Sequence, residues 1–109
     1  MIDLDTVTND TPRARLIKQV EGVPDLYDTD GEKVKYAYMH FYNLKGRGDW
    51  YVLEAQELED DDYYFFGYVK SPITPDFDEY GYFTLKQLQE ANFIVFDTGF
   101  KKTLLSELI

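Results

Sequence analysis

Cysteine is absent from the 109 residues, and histidine and tryptophan occur once each. Without thiols the chain builds neither a disulfide framework nor a thiolate zinc site, a usage that fits a reducing cytoplasm. The lone imidazole, His40, excludes multi-histidine metal sites, and no nucleophile or orienting acid accompanies it in the sequence, so it reads as a structural strand residue. No segment approaches the roughly 20 apolar residues of a membrane-spanning helix. The first ten residues hold three aspartates and no apolar run, unlike a secretion signal. Cations are scarce as well: 11 Lys and Arg stand against 21 Asp and Glu, a net charge of −10. Such a chain repels phosphate, which argues against direct nucleic-acid or anionic-membrane binding and toward a basic protein surface as partner.

What the chain has is aromatic mass, with ten tyrosines and eight phenylalanines. Rings at this density must be buried, so the sequence predicts a folded domain that carries its charge outside rather than a disordered acidic tail. The length fits one domain, residues 1–109, with an N-terminal helical head over 1–23 and a core over 24–109. Asp10 or Thr11 caps a short helix with Pro12 in its first turn, which continues through Leu16, Ile17 and Val20 and stops at Gly22 and Pro24. Asp28-Thr29-Asp30-Gly31 is turn chemistry.

Strands are expected over 34–42, 50–58 and 63–70, the first two joined as a hairpin through Asn43 to Gly48. Alternation sets Ala37, Met39 and Phe41 against Val34, Tyr36, Tyr38, His40 and Tyr42, and Phe65, Gly67 and Val69 against Tyr64, Phe66 and Tyr68. One face should pack under helices, leaving a tyrosine-rich face open or under loops. Gly67 inside a strand signals a bulge or the close approach of another backbone. A loop over 71–79 leads to a short extended 80–83, a helix capped by Thr84 through Leu85 and Leu88, a short strand at 93–96 and an apolar last turn at 104–109. The fold class is therefore α+β, a small antiparallel sheet of about four strands with two or three short helices.

The blocks Pro24-Asp25-Leu26-Tyr27, Trp50-Tyr51-Val52-Leu53-Glu54, Phe65-Phe66-Gly67-Tyr68-Val69, Glu79-Tyr80-Gly81-Tyr82-Phe83-Thr84-Leu85 with Leu88, and Leu105-Ser106-Glu107-Leu108 span most of the chain. In their order and spacing it resembles the domain-of-unknown-function family numbered 2958, small proteins of phages, plasmids and integrated elements. The resemblance implies a mobile-element protein acting in a bacterial cytoplasm, one that protects its element from host defence. The acidic insertion around 57–62 and the extended head depart from the family pattern.

Glu57, Glu59, Asp60, Asp61 and Asp62 put five carboxylates into six residues between two strands. A solvated loop is the ordinary reading. The functional one joins this run to Asp76, Asp78 and Glu79 on the next loop as a mimic of a DNA phosphate path, because carboxylates along a sheet edge match the spacing of backbone charge. Tyr64 and Tyr68 would serve the same partner, since tyrosine buries area at interfaces with little entropy to lose. The run lacks the alternating acids, central glycine and final glutamate of a calcium loop. Gly46-Arg47-Gly48 lacks the residues of a phosphate loop, and Trp50 and Tyr51 beside Glu54 read as sheet core with a polar handle. No catalytic residue, metal ligand or cofactor is expected.

Two functions from different classes remain. The first is a non-catalytic inhibitor of a host defence nuclease, of anti-CRISPR or antirestriction type, that occupies a nucleic-acid-binding surface. The second is an accessory protein-protein interaction module that uses the tyrosine face and keeps its charge for solubility. Monomer and dimer fit either.

Overall fold

A computed structural model describes residues 10–91 and 93–109. In chain order it holds helix α1 (Asp10–Glu21), strands β1 (Tyr36–Ala37), β2 (Met39–Asn43), β3 (Asp49–Glu57) and β4 (Tyr63–Lys70), a 3-10 turn (Pro75–Phe77), β5 (Glu79–Thr84), helix α2 (Leu85–Glu90), β6 (Ile94–Phe96), β7 (Thr103–Leu104) and a final 3-10 turn (Leu105–Glu107). Residues 1–9 of the expected head, and the cap side chains expected at Asp10 or Thr11, lie outside what is described.

Five strands form one antiparallel sheet in the order β5-β4-β3-β2-β6, and β1 pairs with β7 in a second, two-stranded sheet. The α+β class is as the sequence implies, with more strands than the four expected. The strand expected over 34–42 is two strands belonging to different sheets. At Tyr38, whose N–H donates to the Val52 carbonyl at 2.8 Å, the chain leaves the main sheet. Ala37 then opposes Thr103 and packs on the back of the sheet, while Met39 and Phe41 enter its front. The alternation of burial runs unbroken through the bend, so periodicity alone gives no sign of it.

The front face carries the main core. Met39, Phe41, Val52, Ala55, Phe65, Phe83, Ile94 and Phe96 lie under Leu16 of α1 and Leu85 and Leu88 of α2. Leu16 and Val20, four residues apart, give α1 its apolar side, and Val23 just beyond its end joins the same cluster. Thr84 caps α2 as expected, and reciprocally: its hydroxyl accepts the Gln87 N–H at 3.0 Å and the Gln87 side-chain oxygen accepts the Thr84 N–H at 2.9 Å. A smaller back cluster of Ala37, Tyr51, Leu53 and Leu105 is closed by Phe100 and Leu108.

The break in register between β3 and β4 sets which side chains reach the back face and the loop over 25–32. Val52 opposes Gly67 and Glu54 opposes Phe66, so Leu53 is an extra residue, a β-bulge. It turns both Leu53 and Glu54 to the back of the sheet. The close backbone approach expected at Gly67 is here: a Cβ on Gly67 would sit 1.9 Å from the Tyr51 carbonyl oxygen.

Candidate functional site

Side chains at even positions of β4 and β5 share the back face. The register opposes Phe66 to Tyr82 and Tyr68 to Tyr80. The rings meet directly and diagonally: Tyr64 stacks on Tyr82 with centroids 5.2 Å apart, Phe66 on Tyr80 at 5.9 Å, and Tyr68 meets Tyr80 edge-on at 5.1 Å. Such pairs add stability beyond their buried area, so the ladder is a rigid plate. It is also open, with Tyr80 48% and Tyr82 47% exposed. Tyr27, 63% exposed, extends the patch: its hydroxyl shares a hydrogen bond with that of Tyr82. Partial burial pushes the Tyr82 phenol up, and Tyr27, Tyr64 and Asp30 push it the same way. The ring therefore stays a neutral donor.

Tyr27 stands on a loop, residues 25–32, that carries Asp25, Asp28, Asp30 and Glu32, and the buried Glu54 fixes this loop. Glu54 is 1% exposed; one carboxylate oxygen accepts the Tyr27 N–H at 2.8 Å and the other accepts the Thr29 N–H at 2.9 Å and the Thr29 hydroxyl. The Lys35 ammonium donates to the Thr29 carbonyl. Burial pushes the Glu54 carboxyl up, but the Thr29 hydroxyl, the two backbone N–H groups and the Lys35 charge outweigh it and hold the group below the usual glutamate range. Tyr27 is thereby kept at φ 71°, a left-handed backbone that a bulky side chain avoids unless its surroundings impose it. Beside the ladder Lys33, Val34, Lys35, Tyr80, Leu105 and Ser106 line a cavity of about 220 Å³.

The expected acidic residues divide. Glu57, Glu59, Asp60, Asp61, Asp76 and Glu79 are exposed. Asp62 faces inward, accepting the N–H groups of Tyr63 at 2.8 Å and Lys86 at 3.0 Å, and so joins the β3–β4 hairpin to the start of α2. Asp78 accepts the Ser71 N–H at 2.7 Å and pairs with Arg47; that guanidinium holds its carboxyl below the usual aspartate range. Asp60 and Asp61 both have φ 60°, and the Asp62 N–H reaches the Glu59 carbonyl at 3.3 Å, the signature of a type I′ hairpin turn, which aspartate tolerates. Part of the acidic run is thus turn chemistry.

The two acidic loops do not form one path. They lie at opposite ends of β4, whose eight residues span roughly 25 Å. Tyr64 and Tyr68 are half-buried inside the ladder, and the open rings are Tyr27, Tyr80 and Tyr82. The alternation Glu79-Tyr80-Gly81-Tyr82 was the available sequence signal for two of them. The acidic loop over 25–32 had none beyond its composition.

His40 has partners that sequence reasoning missed. Its Nε2 lies 2.7 Å from Asp49 and its Nδ1 3.0 Å from Asp97. The ring stacks on Tyr51 at 4.7 Å and lies beside Tyr42 and Phe100. Both ring nitrogens face carboxylates, so the ring acts as a clamp joining β2, β3 and the segment after β6 and turns neither nitrogen toward a substrate. Beneath it the Tyr51 phenol is pushed up to about 12 by burial and by Asp49 and Asp97. Replacing His40 with phenylalanine keeps the stack and deletes both bonds. We expect a loss of about 2 kcal/mol, read as a lower urea midpoint with an unchanged slope.

Among the described residues no group of three or more His, Asp or Glu side chains is arranged to hold a metal ion, and no helix is long and apolar enough to cross a membrane. Comparison with protein-family models, with curated proteins and with solved structures gave no match.

Proposed function

We propose that this chain is a non-catalytic binding domain that seats a basic protein surface on the tyrosine ladder of β4 and β5. The observation that carries it is the open patch of Tyr27, Tyr80 and Tyr82, with Asp30 of the 25–32 loop beside Tyr82. Tyrosine on a rigid strand gives contact area at small entropic cost, and its ring face attracts lysine and arginine. Asp30 beside the patch and the net charge of −10 favour a cationic partner over an anionic one. Large basic protein surfaces belong chiefly to nucleic-acid-binding proteins. In the setting that the family resemblance implies, the partner is a host defence nuclease whose nucleic-acid site the domain covers.

Against a pure phosphate mimic stands the separation of the two acidic loops and the internal use of Asp62 and Asp78. We therefore place the anchor in the rings and give the exposed carboxylates the role of steering. Capture of a partner from host lysate on the tagged protein, at low and high salt, tests this. Tyr80→Ala with Tyr82→Ala should cut capture by roughly two orders of magnitude, the loss expected of two hot-spot aromatics, while the fold is retained and the thermal midpoint falls only by the lost ring pairs. Glu59→Gln with Asp60→Asn and Asp76→Asn should slow association at low salt and leave it nearly unchanged at high salt. Capture that survives the tyrosine pair would refute the ladder as anchor. Salt-insensitive capture that fails with the tyrosine pair would favour the accessory-module reading, in which charge serves solubility.

A further inference from the structure

The edge of the sheet beside the ladder supports a more specific inference, resting on the binding function just proposed. The two edges of the main sheet differ. β6 has three residues, all buried, whereas β5 has six and pairs on one side only, with β4. Among the described residues no strand lies along its outer side. Apart from the Thr84 N–H, which donates to the Gln87 side chain, the outward N–H and C=O groups of alternate β5 residues are then without a partner strand. Natural sheets blunt such an edge with lysine, proline, a bulge or brevity. β5 has no lysine or proline, pairs with β4 without a register shift, and carries Glu79 as its single charged residue. At its centre Gly81 leaves space, with no atom within 4 Å of where a Cβ would stand.

The charge around this edge selects the occupant. β4 and β5 run antiparallel, so the hairpin bearing Glu59, Asp60 and Asp61 lies beside the end of β5, and Asp76 and Glu79 lie at its beginning. On the ladder side Asp30 approaches Tyr82. A second copy of this chain is disfavoured: antiparallel β5 strands would set each acidic end against the other's, between molecules that each carry −10. We propose that β5 accepts an extended lysine- or arginine-rich segment of the partner as an added strand, its backbone on the open edge and its cations against the flanking carboxylates and the rings of Tyr80 and Tyr82.

The probe is a peptide of about seven residues alternating lysine and valine, a length matched to β5. Two controls accompany it: the same peptide with glutamate for lysine, and the lysine peptide with every backbone nitrogen methylated. Binding is followed by amide NMR shifts and hydrogen exchange on the whole chain. The lysine peptide should shift Glu79 to Thr84 and slow exchange at alternate amides of that strand. The glutamate peptide should do neither, and methylation should weaken binding by roughly tenfold or more, since pairing across the edge needs the peptide's N–H donors. If the methylated peptide binds as well as its parent, strand addition is wrong while a basic partner on the ladder still stands. If the glutamate peptide binds equally, charge selection fails, and the basic-partner reading with it. A lysine peptide that leaves β5 unshifted, or β5 amides protected by self-association without peptide, overturns the proposal, and the tyrosine-pair capture assay then judges the broader function alone.

Discussion

Gly67→Ala is expected to be the most damaging single substitution in the chain, costing at least about 3 kcal/mol and lowering the thermal midpoint by roughly 15 °C or more. Its Cβ would meet the Tyr51 carbonyl oxygen at 1.9 Å, the Tyr51 carbonyl carbon at 2.9 Å and the Val52 Cα at 3.3 Å. All three are backbone atoms of a central strand, so no rotamer change relieves the clash. β3 or β4 must move, and with them the bulge that presents Leu53 and Glu54 to the back face. The control is its cross-strand partner Gly81, where an added Cβ meets nothing within 4 Å. Gly81→Ala should change stability by less than about 1 kcal/mol. Thermal denaturation of the two variants side by side checks both statements, and equal losses would mean that the approach of β3 to β4 is misread.

The second large effect belongs to Glu54. In Glu54→Gln the side chain keeps its volume, but an amide N–H₂ replaces one oxygen and confronts the N–H of Tyr27 or of Thr29. A buried donor is then left unpaired, and the charge opposite Lys35 is gone. The expected cost is about 3 kcal/mol, or roughly 10–20 °C in midpoint. The loop over 25–32 should loosen, with faster amide exchange at Tyr27 and Thr29. Acid should mimic the substitution. Because the folded-state pKa of Glu54 lies below its ordinary value of 4.5, the ionised group contributes fully above that value, and the contribution is lost as pH falls through the folded pKa. Asp78, lowered from 3.8 by Arg47, acts in the same direction. Wild-type stability should therefore fall as pH drops below about 4, and less steeply in Glu54→Gln. Equal slopes would show that Glu54 is not ionised in its buried setting.

What the sequence disclosed follows the range of the physics involved. β4 runs over the residues its alternation marks, the Thr84 cap starts α2, and Gly67 marks the close approach, because each is governed by neighbours in sequence or by one cross-strand partner. What it withheld is decided across the sheet. β1 finds β7 nearly seventy residues later. His40 draws Asp97 from 57 positions away. Glu54 reads in the sequence only as a polar handle beside Trp50 and Tyr51, and the extra residue at Leu53 turns it to the back face and toward Thr29. The openness of Tyr80 and Tyr82 beside the half-buried Tyr64 and Tyr68 is a property of strand order, since β5 is an edge and β4 is not. For the acidic run, composition displayed charge without direction, so the inward carboxylates of Asp62 and Asp78 looked the same as the exposed ones.

The most direct test is a map of where a partner touches. A photo-reactive benzoylphenylalanine is placed in turn at Tyr80, at Tyr82 and at Glu90, the last exposed on α2 and remote from the ladder, and each protein is irradiated in host lysate. One and the same protein should cross-link from positions 80 and 82, weakly or not at all from 90, and free nucleic acid added beforehand should suppress the adduct. Cross-linking from position 90 with none from 80 or 82 would contradict the ladder as the recognition surface.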